Sequence, residues 1–94
     1  MIANYAINNA MKAKHRRTLE SIHAIPTHGG IIFAEIEALI AALGGEVREG
    51  NGSRVVFELH GSRKYLHRPH PGKEAKKYQV EELRKWLIER GIRS

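Results

Sequence analysis

The stretch GNGSRVVFELHGSRKYLHRPHP, residues 50–71, decides the fold of this chain. It holds two runs, residues 53–59 and 63–68, that contain the β-branched and aromatic residues favoured in strands. The turn signal His60-Gly61-Ser62 separates the runs. The prolines of the closing His-Arg-Pro-His-Pro segment end the second run, because proline cannot donate a hydrogen bond to a sheet. The stretch therefore predicts an antiparallel hairpin.

The predicted hairpin has one apolar face and one mixed face, because side chains alternate along a strand. A two-residue loop, whether His60-Gly61 or Gly61-Ser62, fixes which residues of the second run join each face. The apolar face then carries Val55, Phe57, Leu59 and Leu66. The mixed face is predicted to remain free and to display Arg54, Val56, Glu58, Tyr65 and His67, with Arg68 and His70 near its end.

A third strand and a long helix precede the hairpin. The segment EVRE, residues 46–49, is predicted to be a short strand that ends at the turn signal Gly50-Asn51-Gly52. Before it, IIFAEIEALIAALGG (residues 31–45) predicts an amphipathic helix that ends at Gly44-Gly45, since glycine accepts positive φ at a helix C-terminus. The apolar stripe of this helix consists of Ile32, Ile36, Leu39, Ile40 and Leu43.

Two more helices flank this unit. The first is predicted over residues 15–24, where Pro26 ends it, and the last over residues 79–90, where Gly91 caps it. Their apolar sides carry Leu19 and Ile22 in the first helix, and Val80, Leu83, Trp86 and Leu87 in the last. The order α-α-β-β-β-α predicts an α+β fold, with a three-stranded antiparallel sheet, helices packed on one face and an additional N-terminal helix.

The 94 residues suffice for one small domain. Residues 1–13 are predicted to be a flexible N-terminal extension, because they match neither the basic segment that follows nor a core element, and residues 14–94 to form the single domain. The chain has no cysteine, which fits the reducing cytoplasm, where we expect the protein to act. It has no apolar run that predicts a membrane span.

The charge of the chain favours a polyanionic partner. Sixteen lysines and arginines against ten acidic residues give a net charge of +6, and an excess of this kind is typical of proteins that bind RNA or DNA. The alternative is a basic domain whose charge only keeps it soluble. In that interpretation Arg54, Glu58 and Tyr65 form an ordinary solvated sheet face.

The sequence lacks residues that several enzyme classes require. The chain has no aspartate for a Ser-His-Asp triad, and the segment HGGII lacks the lysine of a phosphate-binding loop. The spacing His67-x-x-His70 spans a proline turn without carboxylate partners, so no metal site is expected.

The order of elements and four segments resemble the HicA-type toxins, the RNA-cleaving half of a bacterial toxin–antitoxin pair. The segments are IEALIAALGGEV, GSRVVFEL, HRPHP and VEELRKWLIERG, and the resemblance covers roughly residues 14–93. It implies a small fold like that of double-stranded-RNA-binding domains. It also implies a metal-independent mRNA interferase without a small-molecule cofactor, which a HicB-type antitoxin neutralises by covering the RNA-cleaving surface.

The resemblance also carries over residue roles. In many members the second strand begins Gly-Ser-His, and that histidine is essential for cleavage; here Gly52-Ser53 is followed by Arg54. Arginine stays charged and suits phosphate binding, whereas histidine suits proton transfer near neutral pH. We therefore expect Arg54 to clamp phosphate and His67 to transfer the proton, with His70 as the second choice.

Further residues are expected to contact the phosphate backbone of RNA. The expected RNA-binding set is Gly52, Ser53, Arg54, Arg63, Lys64, Tyr65, Arg68 and Lys73. Other basic residues that could contact an RNA backbone are Arg16, Arg17, Lys76 and Lys77. Two alternatives stay open: a module of the same fold that binds RNA or antitoxin without cleaving, and a DNA-binding helix-turn-helix protein. The second is disfavoured because the loop PTHGGII is too long and irregular.

Overall fold

A computed structural model describes residues 11–93, in which the chain forms three helices and one sheet. The helices and strands are α1 (Ala13–His23), α2 (Phe33–Ala42), β1 (Glu46–Glu49), β2 (Arg54–Leu59), β3 (Ser62–His67) and α3 (Lys77–Glu89). The expected N-terminal extension lies outside the described residues up to residue 10. Within the described part, Met11 is buried and Ala13 begins α1. None of the helices within residues 11–93 is long and apolar enough to cross a membrane.

The sheet is antiparallel in the order β1-β2-β3. A two-residue turn joins β2 to β3: His60 and Gly61 have φ angles of 51° and 75°, and Leu59 pairs with Ser62. Positive φ at both central residues is the turn geometry that matches the twist of a hairpin. The first of the two predicted loops is therefore the correct one, and the predicted assignment of residues to faces is confirmed.

The apolar face of the sheet forms the core together with the helices. Val55, Phe57, Leu59 and Leu66 are buried, and the ring of Phe57 lies 6.0 Å from that of Phe33 at the start of α2. Both α2 and α3 pack against the sheet, whereas α1 packs against α2 and α3. The predicted α+β fold, with helices on one face and an additional N-terminal helix, is confirmed.

The start of α2 differs from the prediction. Ile31 and Phe33 are buried, whereas Ile32 is only half-buried. The reason is a short bridge between Ile32 and Glu74, flanked by the hydrogen bonds from the Ala75 N–H to the Ile31 carbonyl and from the Phe33 N–H to the Lys73 carbonyl. The segment predicted as a charged link thus pairs with the chain that enters α2.

The C-terminus of α2 turns sharply towards β1. Gly44 has φ 88°, and Gly44 and Gly45 donate to the carbonyls of Ala41 and Ile40, which satisfies the last turn of the helix. A Cβ on Gly45 would lie 2.6 Å from the Glu58 carbonyl oxygen, so only glycine fits where the helix end meets β2.

A single side chain of α3 secures the end of α1. The Arg84 guanidinium donates to the Ile22 carbonyl at 2.8 Å and to the Ala24 carbonyl at 3.1 Å, and it also reaches the Thr27 hydroxyl at 2.8 Å. These carbonyls lie at the helix C-terminus, where a cation is favoured and no intrahelical donor remains. The extra helix is therefore fixed to the rest of the fold.

Candidate functional site

The face of the sheet that the helices do not cover is built from all three strands. We call it the open face; it consists of Glu46, Arg48, Arg54, Val56, Glu58, Arg63, Tyr65 and His67. Arg54 begins β2 and His67 ends β3, and the two residues are direct partners in the register. Both are exposed. The structure thus brings together the two residues expected to clamp phosphate and to transfer a proton.

The ring of His67 has a fixed contact on one nitrogen. The hydroxyl oxygen of Ser53 lies 3.2 Å from His67 Nδ1. The two residues are close because the backbone N–H of Arg68 donates to the Ser53 carbonyl at 2.8 Å and ties the end of β3 to the turn before β2. A histidine whose Nδ1 is held in this way keeps Nε2 for a second partner.

The backbone of His67 is anchored to α3 by a buried amide that the sequence analysis did not single out. Gln79 is only 3% exposed, and its Nε2 donates to the His67 carbonyl at 2.9 Å. Its Oε1 accepts from the backbone N–H of Lys76 at 3.0 Å. A glutamine three residues after a helix N-cap is a sequence signal for this second bond, but it does not reveal the contact with β3.

Arg54 has no ion pair or hydrogen-bonded side-chain partner within residues 11–93. Its side-chain carbons lie over Gly50, where a Cβ would approach them to 3.1 Å. The turn that contains Gly50 and Gly52, the latter with φ 61°, therefore supports the stem of Arg54 and leaves its guanidinium exposed. A guanidinium in this position can bind an anion by donating two parallel hydrogen bonds to it.

The other charges of the open face neutralise one another. Arg48 contacts Glu46 at 2.8 Å and Glu58 at 3.2 Å, and Arg63 contacts Glu58 at 3.5 Å. A hydrogen bond to Tyr65 and the charge of Glu58 raise the pKa of Arg63 above its ordinary value. The acidic groups of this face are therefore engaged by Arg48 and Arg63, at a distance along the strands from Arg54.

The expectation that Arg68 lies at the end of the open face is wrong. Its guanidinium turns to the helix side, where it contacts Glu37 of α2 and lies 2.7 Å from Glu49 of β1. The hydrogen bonds to Glu49 and Glu37 raise the pKa of Arg68, and the Arg68 guanidinium lowers the pKa of Glu49. Arg68 therefore closes the edge of the core instead of extending the basic surface.

Lys64, which was expected to bind RNA, also lies on the helix side of the sheet. It pairs with Phe57 in the register, and its Nζ contacts Glu82 of α3 at 3.2 Å. His70 and Lys73 are exposed and lie in the segment after β3, where the Lys73 carbonyl accepts from Phe33. The sheet thus separates Lys64 from Arg54 and His67.

No cluster of three histidine, aspartate or glutamate side chains in the described part of the chain could hold a metal ion. The groups available on the open face are a guanidinium, an imidazole, a hydroxyl and a phenol. Together they can bind a phosphodiester and transfer a proton.

One comparison with known proteins identifies a family. Residues 33–88 match the family model described as "HicA toxin of bacterial toxin-antitoxin", and this segment is more than half of the chain. It contains α2, the whole sheet and α3 up to its penultimate residue, whereas α1 precedes it. Neither the curated proteins nor the solved structures give a match.

Proposed function

Because the chain belongs to the HicA family of toxins from bacterial toxin–antitoxin systems, we propose that it is a metal-independent endoribonuclease that cleaves mRNA on the open face of its sheet. The observation that carries the proposal is the exposed pair of Arg54 and His67, which lie opposite each other on neighbouring strands. A HicB-type antitoxin neutralises the toxin by covering this face. The protein acts in the cytoplasm, where mRNA is translated.

Arg54 binds the scissile phosphate. In the reaction the 2′-hydroxyl loses its proton and its oxygen attacks phosphorus, while negative charge builds on the non-bridging oxygens. The bond to the 5′-oxygen breaks, which leaves a cyclic phosphate, and the 5′-oxygen takes a proton from water. A guanidinium pairs with two non-bridging oxygens and stabilises them more as their charge increases. Arg54 is suited to this role since it has no competing carboxylate within residues 11–93.

His67 transfers the proton. In the tautomer in which Nδ1–H donates to Ser53, Nε2 carries the lone pair and accepts the proton of the 2′-hydroxyl. Ser53 and Gln79 act through His67 and are positioning residues: one holds the ring and the other holds the backbone. His70, exposed beyond the end of β3, is the second candidate for proton transfer.

The rest of the RNA contacts the open face and the turn before β2. Gly52 and Ser53 approach the RNA backbone at this turn, and Arg63 and Tyr65 extend the RNA-binding surface along β3. Contacts to backbone phosphates of this kind position RNA without reading its sequence. Lys73 adds a cation beyond the end of the strand.

A second candidate function is a toxin-like module that binds RNA or antitoxin without cleaving. The observation that favours it is Arg54 itself, since the resemblance places a histidine at that point of the strand and an arginine does not exchange protons at neutral pH. In this alternative Arg54 only holds backbone phosphate.

The deciding experiment is incubation of the purified protein with a long single-stranded RNA in EDTA. We expect cleavage by the parent chain, a loss of roughly 10²–10³-fold in rate for Arg54→Ala and of roughly 10²–10⁴-fold for His67→Ala. Arg48→Ala is the matched control, because this arginine lies on the same face but is paired with glutamates, and it should retain the parent rate.

The outcomes separate the two candidates. RNA binding by the parent chain without cleavage supports the silent module, and cleavage that survives His67→Ala but not His70→Ala moves the proton transfer to His70. Equal rates for Arg54→Ala and Arg48→Ala would refute the role of Arg54.

A further inference from the structure

A cleft of about 550 Å³ lies between α1, α2 and the loop that joins them. Its α1 wall includes Lys14, His15 and Arg17, and its α2 wall includes Ala34, Glu35 and Ala38. The helix α2 packs on the apolar face of the sheet with Ile36 and Ile40 buried, and its exposed alanines line the cleft. The cleft therefore lies away from the open face. One of its walls, α1, precedes the residues that match the family model.

The cleft is basic, and its cations have no carboxylate partners. Lys14, Arg17, His15 and His28 line it, and within residues 11–93 none of them forms an ion pair. Among the described residues that line the cleft, Glu35 is the single acidic one. Elsewhere in the described chain, Arg48, Arg63, Lys64 and Arg68 are all paired with glutamates. The unpaired cations of the cleft thus form a local field that attracts an anionic group.

Small side chains form part of the lining of the cleft and leave room for a polypeptide backbone. Ala34 and Ala38 are one helical turn apart, Gly29 and Gly30 form the adjoining loop, and the buried Ile31 adds apolar surface. Side chains this small allow another backbone to approach closely. The combination of small apolar side chains and unpaired cations fits a peptide with acidic and small apolar side chains.

We propose that the cleft binds an acidic segment of the partner antitoxin, as a second contact that is separate from the open face. The proposal rests on membership of a toxin–antitoxin family and not on the proposed RNA cleavage. A peptide is favoured over RNA because Ile31, Ala34 and Ala38 give the cleft an apolar surface that small peptide side chains can cover, whereas a phosphodiester backbone has no apolar side chain to place there. An antitoxin held here leaves Arg54 and His67 accessible, so it can stay attached while the open face is occupied.

Charge reversal in the cleft tests the proposal. We expect Lys14→Glu/Arg17→Glu to weaken the binding of the antitoxin of the same pair at least tenfold, as measured by titration of the purified proteins. Position 14 lies in the first turn of α1, where a carboxylate is favoured, so the variant should fold. The matched control is Lys12→Glu/Lys85→Glu, which changes the net charge equally at two exposed residues outside the cleft and should keep the parent affinity.

A second variant fills the cleft without changing its charge. Ala38→Gln, at an exposed position of α2 that tolerates a good helix former, should also weaken antitoxin binding while keeping the parent affinity for single-stranded RNA. The charge-reversed variant should bind single-stranded RNA as its charge-matched control does, because both lose the same positive charge. Unchanged antitoxin binding in both variants overturns the proposal. A selective loss of RNA affinity assigns the cleft to RNA instead, and loss of a dimer in sedimentation assigns it to a second copy of the chain; either result also overturns it.

Discussion

Ser53 and His67 illustrate what a single contact contributes to the open face. The sequence indicates that both residues belong near the turn, but only the hydrogen bond from Arg68 to the Ser53 carbonyl brings the hydroxyl to 3.2 Å from Nδ1. If His67 is the proton-transfer group, this contact determines which nitrogen faces RNA and lowers the freedom of the ring.

We expect Ser53→Ala to slow RNA cleavage about 2–10-fold, the equivalent of one ordinary hydrogen bond of about 0.5–1.5 kcal/mol. Ser53→Thr keeps the hydroxyl and should restore the rate. A parent rate for Ser53→Ala, or no recovery in Ser53→Thr, would contradict the positioning role.

The positions of Arg54 and His67 were predictable because two rules suffice for them. Side chains alternate along strands, and a two-residue turn transfers that alternation to the next strand. Arg68 follows β3 directly, and neither rule applies beyond a strand end. Its direction depends on Glu37 and Glu49, which come from distant parts of the chain.

At the scale of elements, the N-terminus of α3 does more than begin a helix. The prediction began this helix at residue 79, on an apolar stripe, whereas it begins at Lys77 and buries Gln79 against β3. The amide of Gln79 therefore couples the first turn of α3 to the strand end that carries His67. Propensity and periodicity do not predict a buried amide of this kind, because its partners belong to another element.

Replacing Gln79 should affect both stability and the site. We expect Gln79→Leu to lower the free energy of unfolding by about 1–3 kcal/mol, since the His67 carbonyl and the Lys76 N–H lose their partner. Chemical denaturation measures this loss. Gln79→Glu keeps the bond from Lys76 but not the one to His67, so it should slow RNA cleavage as much as Gln79→Leu does. Parent-like cleavage by both variants would show that the anchor does not matter for the site.

The start of α2 is a second place where sequence periodicity does not predict the contacts. A helical stripe predicts Ile32 as a core residue, but Ile32 is extended at its bridge to Glu74 and precedes α2, so its side chain does not continue the stripe of the helix. Ile31 and Phe33 are buried instead. The sequence could not predict this pairing, because the segment around Glu74 is charged and has no strand pattern.

On the scale of the whole molecule, His23 connects the first helix to the C-terminal residues. Its Nε2 lies 3.1 Å from the Ile92 carbonyl, and Ile92 is buried beside the end of α3. Burial lowers the pKa of His23 below its ordinary value, the charges of Arg84 and Arg93 lower it further, and the Ile92 carbonyl opposes this shift. The folded protein therefore favours neutral His23.

This shift makes stability depend on pH with a definite sign. Below about pH 6.5 the unfolded chain binds a proton at His23 that the folded chain resists, so the free energy of unfolding should fall as the pH is lowered from about 7.5 to 5.5. Thermal unfolding across that range measures the effect. His23→Gln keeps a donor for Ile92 without titrating and should reduce the slope; an unchanged slope would contradict the assignment.

The two-residue turn at His60-Gly61 has a consequence for the genetics of the toxin. Adding or removing one residue there would rotate β3 by one position, sending His67 towards the helices and Leu66 into water. Insertion or deletion of a single codon at this turn should therefore abolish toxicity, although it replaces none of the residues of the open face. Cells that survive induction of the toxin alone should carry such insertions and deletions clustered at codons 60 and 61.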